Sequence, residues 1–390
     1  MRIGILTLHD SPNYGAVLQA YAMRAYLAGL GHEAFVIDRR RDGRDTPLRT
    51  PPPIRASVRL GGVLEVDARN GATEYARRCV RTLDFLRNRV GLSSCSFGSW
   101  DEAPAELGAD VVVVGSDQVW NPNNLDPSDY LMMRPCGARG AIAYAASFGV
   151  SSFAPEIAQT FKRGLANFAA IGVREREAQD LVRTLGFAAE HVVDPVLLAG
   201  REIWSDVAGC GEASDGHVFA YFLAEDVLKV LPQLAAFADR TKRTVELFVD
   251  WFVRKPPRGV GGYLKNRRFW RQWSRRGIVF RLDAGPEEFV RSLRSSAAVV
   301  SNSYHALMFS AVFGKNVRVV LPSNPIRRQM NARLVESGDA MFEGPLVRDT
   351  LESALASLDG DAPVVAKHEA IARQVQASAA WLSRALSLFQ

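Results

Sequence analysis

The residue types best suited to chemistry gather in four short segments of this 390-residue chain. One is S-N-S-Y-H-A-L-M-F-S at 301–310, which sets His305 just beyond the apolar run 297–300. That run reads as a buried strand, and the residues after His305 read as a helix heading inward. At a strand end of this kind backbone pairing stops and the next helix begins with free N–H groups. An imidazole placed there can serve as a general acid, a base or a phosphate ligand. Ser303 and Tyr304 share the same turn and are candidates for holding the same ligand.

The second segment is H-D-S-P-N-Y-G at 9–15, between a first strand and its helix. Gly15 lets the backbone come close to a ligand, and a helix N-terminus beyond it favours an anion. Asn13, Tyr14 and Gly15 are therefore candidates for binding a ligand, although Asn13 or Ser11 can equally well cap the helix. No G-x-G-x-x-G is present, so the dinucleotide fingerprint is missing. The third segment is G-S-D-Q-V-W-N-P at 115–122. Asp117 and Gln118 can hydrogen-bond hydroxyl groups, Trp120 can cover the apolar face of a sugar, and Asn121 adds a further amide. The bland alternative has Asp117 capping the next turn and Trp120 in the core. The fourth is G-V-R-E-R-E at 172–177, where Arg174 opens a helix at a strand end. A guanidinium there grips a carboxylate or phosphate in bidentate fashion. Alternatively, Arg174 or Arg176 pairs with Glu175, Glu177 or Asp194.

These segments need strands that end on them. Residues 2–8 read as a strand, 16–30 as a helix ended by Gly31, and 33–37 as a second strand. That βαβ unit implies a parallel sheet with a right-handed crossover. Residues 42–62 hold four prolines and read as a loop or excursion. Helical patterns follow at 75–89 and 175–185, and strand patterns at 109–114, 141–148, 171–173 and 192–193. Around 209–216 the composition turns to Gly, Ser and Asp, a linker, and then the alternation restarts. Strands are expected at 218–222, 244–249, 277–281, 297–300 and 317–321, with helices at 224–240, 286–295, after His305 and at 327–337. The chain closes on an amphipathic helix at 367–389. The fold class is α/β, with two Rossmann-like domains facing a cleft. The first spans 1–208 and is expected to be joined by the C-terminal helix 367–390. The second spans 216–362 and carries His305.

A composition of 47% hydrophobic and 23% charged residues is that of an ordinary soluble globular protein. No apolar run approaches a membrane span, and the N-terminus reads as a strand rather than a signal peptide. The cytoplasm is the expected compartment. Cys79, Cys95, Cys136 and Cys210 are widely spaced with no C-x-x-C pair, which argues against a zinc site and a disulfide framework. All four read as free thiols, and no metal site is expected. The net charge of +6 is concentrated locally: residues 254–276 carry nine Arg or Lys, interleaved with Tyr263, Phe269, Trp270 and Trp273. One reading is an exposed loop and helix with aromatic side chains packed beneath. Another is peripheral contact with an anionic membrane, at its inner face. Nucleic acid is not an expected partner.

In order along the chain, the segments resemble the polysaccharide pyruvyl transferase family. The motifs are N-Y-G-A-V-L-Q-A-Y at 13–21, V-G-S-D-Q-V-W-N-P at 114–122, Y-A-A-S-F-G at 144–149 and G-V-R-E-R-E at 172–177. V-V-D-P-V-L-L at 192–198 comes next with Trp204 beyond it, then G-P-E-E-F at 285–289 and the His305 segment. The resemblance spans nearly the whole chain and implies a fold similar to GT-B glycosyltransferases. It implies transfer of the enolpyruvyl group of phosphoenolpyruvate onto two hydroxyls of one sugar, giving a pyruvate ketal and free phosphate. It further implies that His305 is the acid or a phosphate ligand and that Arg174 holds the donor. Asp117 is assigned to binding or deprotonating the acceptor hydroxyl on chemical grounds alone. In one branch of the family an arginine stands two residues before the histidine and contacts the donor. Ser303 occupies that place here, as in a Ser-x-His branch. Losing a charged contact costs roughly 1.5–3 kcal/mol of donor binding unless another cation replaces it. Arg327, Arg328 or the 254–276 segment are candidates.

The expected partners are therefore phosphoenolpyruvate, as co-substrate with no other cofactor, and a glycan or lipid-linked saccharide acceptor. Two other classes compete. A GT-B-type glycosyltransferase using a nucleotide sugar needs a carboxylate for the ribose, for which Glu336 is a weak candidate. A binding protein without catalysis is the third class, against which His305 and Arg174 both count.

Overall fold

Residues Val111–Val114 are four valines in a row and all are fully buried, which requires a strand covered on both faces. That is the signature of a parallel sheet between helical layers, and it recurs twice in this protein. The computed structural model describes residues 1–40, 57–60, 64–67, 72–104, 107–123, 126–132, 137–209, 216–223, 227–249, 259–321 and 329–390. The chain divides into two units. The first comprises Met1–Thr46, Leu86–Ile203 and His368–Gln390, and the second comprises Pro47–Phe85 and Trp204–Lys367.

The sheet of the first unit contains β1 (Arg2–Leu6), β2 (Glu33–Arg39), β3 (Leu92–Phe97), β4 (Val111–Val114), β5 (Gly140–Ala146), β6 (Phe168–Val173) and β7 (Glu190–His191). Its spatial order is β3-β2-β1-β4-β5-β6-β7, with every pairing parallel. In the second unit the sheet contains β8 (Val218–Phe222), β9 (Val245–Val249), β10 (Ile278–Phe280), β11 (Ala298–Ser301), β12 (Asn316–Val320) and β13 (Val347–Arg348). Its order is β10-β9-β8-β11-β12-β13, again parallel throughout. Each sheet thus runs outward one way from its first strand, returns, and runs outward the other way. The chain direction switches between β1 and β4 in one unit and between β8 and β11 in the other. In open α/β sheets the ligand crevice opens at the carboxyl ends of the two strands at such a switch. Both units are Rossmann-like.

Aliphatic and aromatic side chains fill the layers: Val112, Trp120, Phe161 and Val182 in the first unit, Leu231, Leu247, Trp270 and Leu355 in the second. The C-terminal helix His368–Ser387 belongs to the first unit. Its Ser378 Oγ accepts from Val193 N at 3.0 Å, and its Trp381 lies so close to Gly172 that an added Cβ would meet the ring at 2.9 Å. Among the described residues no helix is long and apolar enough to cross a membrane.

Several elements differ from the sequence reading. Within 42–62, residues Ser57–Leu60 form a strand paired antiparallel with Leu64–Asp67, and the rest of that stretch lies outside the described residues. The helix Ala72–Phe85 groups with the second unit, where the sequence reading assigns 1–208 to the first domain. Side chains show why: Arg78 Nη1 donates to the Val249 carbonyl at 2.7 Å, and Arg81 Nη1 to that of Asp283 at 2.8 Å. The short strand expected at 192–193 is Glu190–His191. Strand β3 is unannounced because L-S-S-C-S-F lies at the sheet edge with three exposed residues and no apolar alternation. Cys79 is buried and Cys95 exposed, both as free thiols, while Cys136 and Cys210 lie outside the described residues. So does most of the 209–216 linker.

Candidate functional site

In the first unit the backbone after β4 is tightly constrained. Gly115 adopts φ 112°, and a Cβ built on it would lie 2.3 Å from the Tyr144 carbonyl oxygen, so only glycine fits. The peptide to Ser116 is cis. Ser116 is fully buried and each of its polar atoms is engaged. Its N donates to Gln19 Oε1 at 3.0 Å and its carbonyl accepts from Thr7 Oγ1 at 3.0 Å. Its Oγ is shared between the Ala145 carbonyl at 3.0 Å and Asp194 Oδ2 at 3.2 Å.

Asp117 follows at φ 65°, a left-handed conformation that costs a non-glycine residue about 1–3 kcal/mol. Its carbonyl accepts from Ser147 N at 3.0 Å and its Oδ1 from Gln118 N at 2.8 Å. Asp117 and Gln118 are partly exposed, whereas Ser116, Trp120 and Asn121 on either side are buried. The loop therefore presents a carboxylate and an amide at the switch point and hides its other polar groups.

Arg174, at the end of β6, lies among three carboxylates. Its Nε donates to Glu175 Oε1 at 3.1 Å, and its Nη1 lies 3.4 Å from Asp194 Oδ2 and 4.0 Å from Asp117 Oδ1. Glu175 also accepts from Ser147 Oγ at 2.8 Å, and Asp194 caps the turn Pro195–Leu198 by accepting from Val196 N at 2.9 Å. His191 Nε2 donates to the Arg174 carbonyl at 3.1 Å; burial, and then the charge of Arg176, lowers the pKa of that imidazole. Tyr144 is fully enclosed nearby. Burial, followed by the charge of Asp194, pushes its phenol well above the ordinary range.

The expected donor arginine is thus surrounded by negative charge. Its ion pairs tie the end of β6 to the loop after β4 and to the turn that begins at Asp194. Trp120 is not a sugar platform: it is fully buried, its Nε1 donates to the Tyr130 carbonyl at 3.0 Å, and its ring packs 5.1 Å from Phe148 and 5.6 Å from Phe168. Asn13 caps the helix Tyr14–Gly29, with Oδ1 accepting from Ala16 N at 3.1 Å, while Tyr14 and Gly15 are buried in that helix's first turn. Asn121 Nδ2 donates to Gln118 Oε1 at 2.6 Å, which fixes the Gln118 side chain against its own turn.

Sequence reasoning passes over Gln19. It is fully buried, with Nε2 within 3.1 Å of Thr7 Oγ1 and the Leu8 and Ala16 carbonyls. Together with its acceptor contact to Ser116 N it ties β1, the first helix and the β4 loop together. A lone amide amid A-V-L-Q-A-Y-A-M is the signal that could have revealed it. His9 is also buried; Nδ1 donates to the Thr7 carbonyl at 3.0 Å and Nε2 lies 3.2 Å from Asp38 Oδ1.

In the second unit the switch point falls at the ends of β8 and β11. Asn302 extends the pairing of these strands with its side chain: Oδ1 accepts from Leu223 N at 2.7 Å and Nδ2 donates to the Leu223 carbonyl at 3.1 Å. Ser301 Oγ donates to the Tyr221 carbonyl at 2.5 Å and accepts from Ser303 N at 3.0 Å. Ser303 is the N-cap of the helix Tyr304–Phe313, its Oγ accepting from Ala306 N at 3.4 Å. Tyr304 and His305 form the first turn, ring against ring at 5.6 Å, and His305 is 8% exposed. Deeper in the helix Phe309 packs on Trp204 at 4.7 Å. Ser303, Tyr304 and His305 therefore converge where the sequence places them, with Ser303 occupied as a cap. Arg327 and Arg328 lie outside the described residues. Among the described residues no three His, Cys, Asp or Glu side chains are grouped to hold a metal ion.

The family model of polysaccharide pyruvyl transferases matches residues 13–324. The chain belongs to that family. It is accordingly an enzyme of polysaccharide pyruvyl transferase type, and both strand-end clusters lie within the matched span. No curated protein matches the sequence significantly. Among solved structures, a UDP-N-acetylglucosamine 2-epimerase aligns at TM-score 0.50 and 10% identity, over 96% of this chain and 90% of that one. The UDP-GlcNAc 2-epimerase of Neisseria meningitidis bound to UDP-GlcNAc aligns at TM-score 0.50 and 9% identity, over 96% and 94%. Likeness at that identity speaks for the fold alone. This pyruvyl transferase has the GT-B-like fold of two Rossmann-like domains.

Proposed function

We propose that this pyruvyl transferase moves the enolpyruvyl group of phosphoenolpyruvate onto two hydroxyls of one sugar in a glycan or lipid-linked saccharide. The observation that carries the reading is the placement of Asp117 and His305. Each stands at the carboxyl end of a strand at the topological switch of its own sheet, the position where α/β folds bind ligands. Asp117 is assigned to the acceptor and His305 to the donor.

Ketal formation needs a proton delivered to the C3 methylene of the donor, which His305 is suited to supply. Positive character then builds at C2, and the first hydroxyl oxygen bonds to C2 as its proton passes to a general base. The second hydroxyl displaces phosphate at C2, closing the ring. The C2–O electron pair and the second hydroxyl proton leave with phosphate. Arg174 contributes indirectly, by holding Asp117, Glu175 and Asp194 in place, and no metal is called for when cations and helix N–H groups meet the donor.

A thermal-shift titration with phosphoenolpyruvate beside UDP and GDP tests this on the wild type and on His305→Ala. A ligand at 100-fold its dissociation constant stabilises by about 2.7 kcal/mol, a readily measured rise in melting temperature. The expected result is a shift with phosphoenolpyruvate alone that is reduced in His305→Ala. A shift with a nucleotide and none with phosphoenolpyruvate would replace this reading with a nucleotide-sugar glycosyltransferase.

A further inference from the structure

The helix Gly259–Ser274 and the turn after it contain no acidic residue between 259 and 276. At about 100° per residue, Leu264, Lys265, Arg267, Arg268, Arg271 and Arg275 fall within a single arc of roughly 160°. All six are exposed, Leu264 to 55%. The opposite arc is structural: Asn266 and Trp270 are buried, Trp270 meets Phe280 edge-on at 4.8 Å, and Phe269 and Trp273 are partly buried beside it. Among the described residues none of the five outward cations takes part in an ion pair. Asp239 is paired with Arg276 at 2.8 Å and Asp359 with Arg240 at 3.2 Å. Lys242 and Arg243 are exposed too, and the Arg243 carbonyl would lie 3.4 Å from a Cβ on Gly277, so the basic surface continues past the end of the helix.

We propose that this face docks on a bilayer surface rich in anionic phospholipid, with Leu264 entering the headgroup boundary and the cations meeting lipid phosphates. Charge complementarity selects an anionic partner, and the exposed leucine at the centre of the basic arc selects a lipid surface. A single-stranded nucleic acid would need outward aromatic faces for its bases to stack on, and Trp270 is turned inward. The proposal is independent of the transferase reading, because it requires neither donor nor acceptor.

Vesicle co-sedimentation of the full chain tests it, using phosphatidylcholine alone and phosphatidylcholine mixed with phosphatidylglycerol, at low and high salt. Binding is expected only to the phosphatidylglycerol vesicles and is expected to weaken with salt. Each basic residue near such a surface is worth about fivefold, so Arg267→Gln/Arg268→Gln/Arg271→Gln should lose about a hundredfold. Leu264→Ser should weaken vesicle binding several-fold while leaving heparin binding unchanged, and it decides the matter should the triple variant fold poorly. Equal binding to both vesicle types would overturn the proposal. So would wild-type vesicle binding by the folded triple variant, or by Leu264→Ser. Tighter binding of a single-stranded DNA oligonucleotide than of phosphatidylglycerol vesicles would overturn it in favour of a nucleic-acid surface.

Discussion

Arg174 Nη1 lies 3.4 Å from Asp194 Oδ2, with the two side chains only 3% and 0% exposed. A charge so enclosed cannot be removed without depriving the buried carboxylates of their counter-charge. Arg174→Met is therefore expected to destabilise by about 3–5 kcal/mol, the usual consequence of deleting one member of a buried pair. Asp194→Asn in the same background should restore part of that loss, since the two substitutions share a network. Urea unfolding of the two single variants and the double variant measures this directly. A folded, wild-type-stable Arg174→Met that binds phosphoenolpyruvate poorly would return Arg174 to the donor.

Trp120 supports a parallel expectation. Its ring lies among Phe148, Phe161 and Phe168 and its indole N–H is bonded, so Trp120→Ala should cost about 3–5 kcal/mol. Trp120→Phe should cost less, because it keeps the ring and strands only the Tyr130 carbonyl. Acceptor KM in either folded variant should stay near wild type. A large KM effect with an unchanged melting temperature would show that sugar reaches the ring.

Much of this architecture is legible from local pattern. The apolar runs at Val111–Val114, Val218–Phe222 and Ala298–Ser301 announce buried parallel strands, and G-P-E-E-F announces a helix start that the structure places at Pro286. His305 and Asp117 are found at strand ends because strand ends can be read from composition. Partners distant in sequence cannot. Arg174 and Asp194 are 20 residues apart, and Gln19 and Ser116 are 97 apart. Their pairing depends on sheet order, and no periodicity encodes it. Trp120 is misjudged for a related reason, since an indole near a polar loop has the same local pattern whether it faces a ligand or the core.

Gln19 shows what that hidden layer does. Its amide accepts from Ser116 N and donates toward Thr7, whose hydroxyl donates in turn to the Ser116 carbonyl. Gln19→Leu keeps the volume but strands a buried N–H, at about 1–3 kcal/mol. Asp117 follows directly on Ser116, so kcat should fall by more than the loss of folded protein explains. Phosphate release measured beside circular-dichroism melting separates the two effects. Equal proportional losses would mean that Gln19 is only a packing residue.

Glu246 predicts a pH dependence in the second unit. Burial pushes its carboxyl up, but hydrogen bonds from Arg281 and from Ser292 Oγ, the latter at 2.5 Å, outweigh this and hold it below its ordinary value. A folded-state pKa below the unfolded one adds stability above the unfolded value, about 4.3, and that stability is lost as pH falls through the folded value. Glu246→Gln should therefore be less stable than wild type at neutral pH, and the gap should narrow as the solution is acidified past about pH 4. Denaturant midpoints of the two proteins across that range provide the check. A gap independent of pH would assign the effect to geometry and not to charge.

Ser303 separates capping from donor binding. Its Oγ accepts from Ala306 N at the start of the His305 helix, and loss of such a cap costs about 1 kcal/mol. If capping is its whole role, Ser303→Ala lowers the stability by that amount, with a matching drop in melting temperature, and leaves phosphoenolpyruvate affinity in the folded protein unchanged. Ser303→Asp should then recover the stability, because aspartate caps as well as serine, while its charge beside an anionic donor should weaken phosphoenolpyruvate binding. Ser303→Arg has the opposite electrostatic sign and no cap: lower stability, tighter donor. Titrating the three variants with phosphoenolpyruvate while recording melting curves yields a two-by-two pattern of stability and affinity. If affinity falls in Ser303→Ala alongside stability, the hydroxyl touches the donor directly and Ser303 is a ligand as well as a cap.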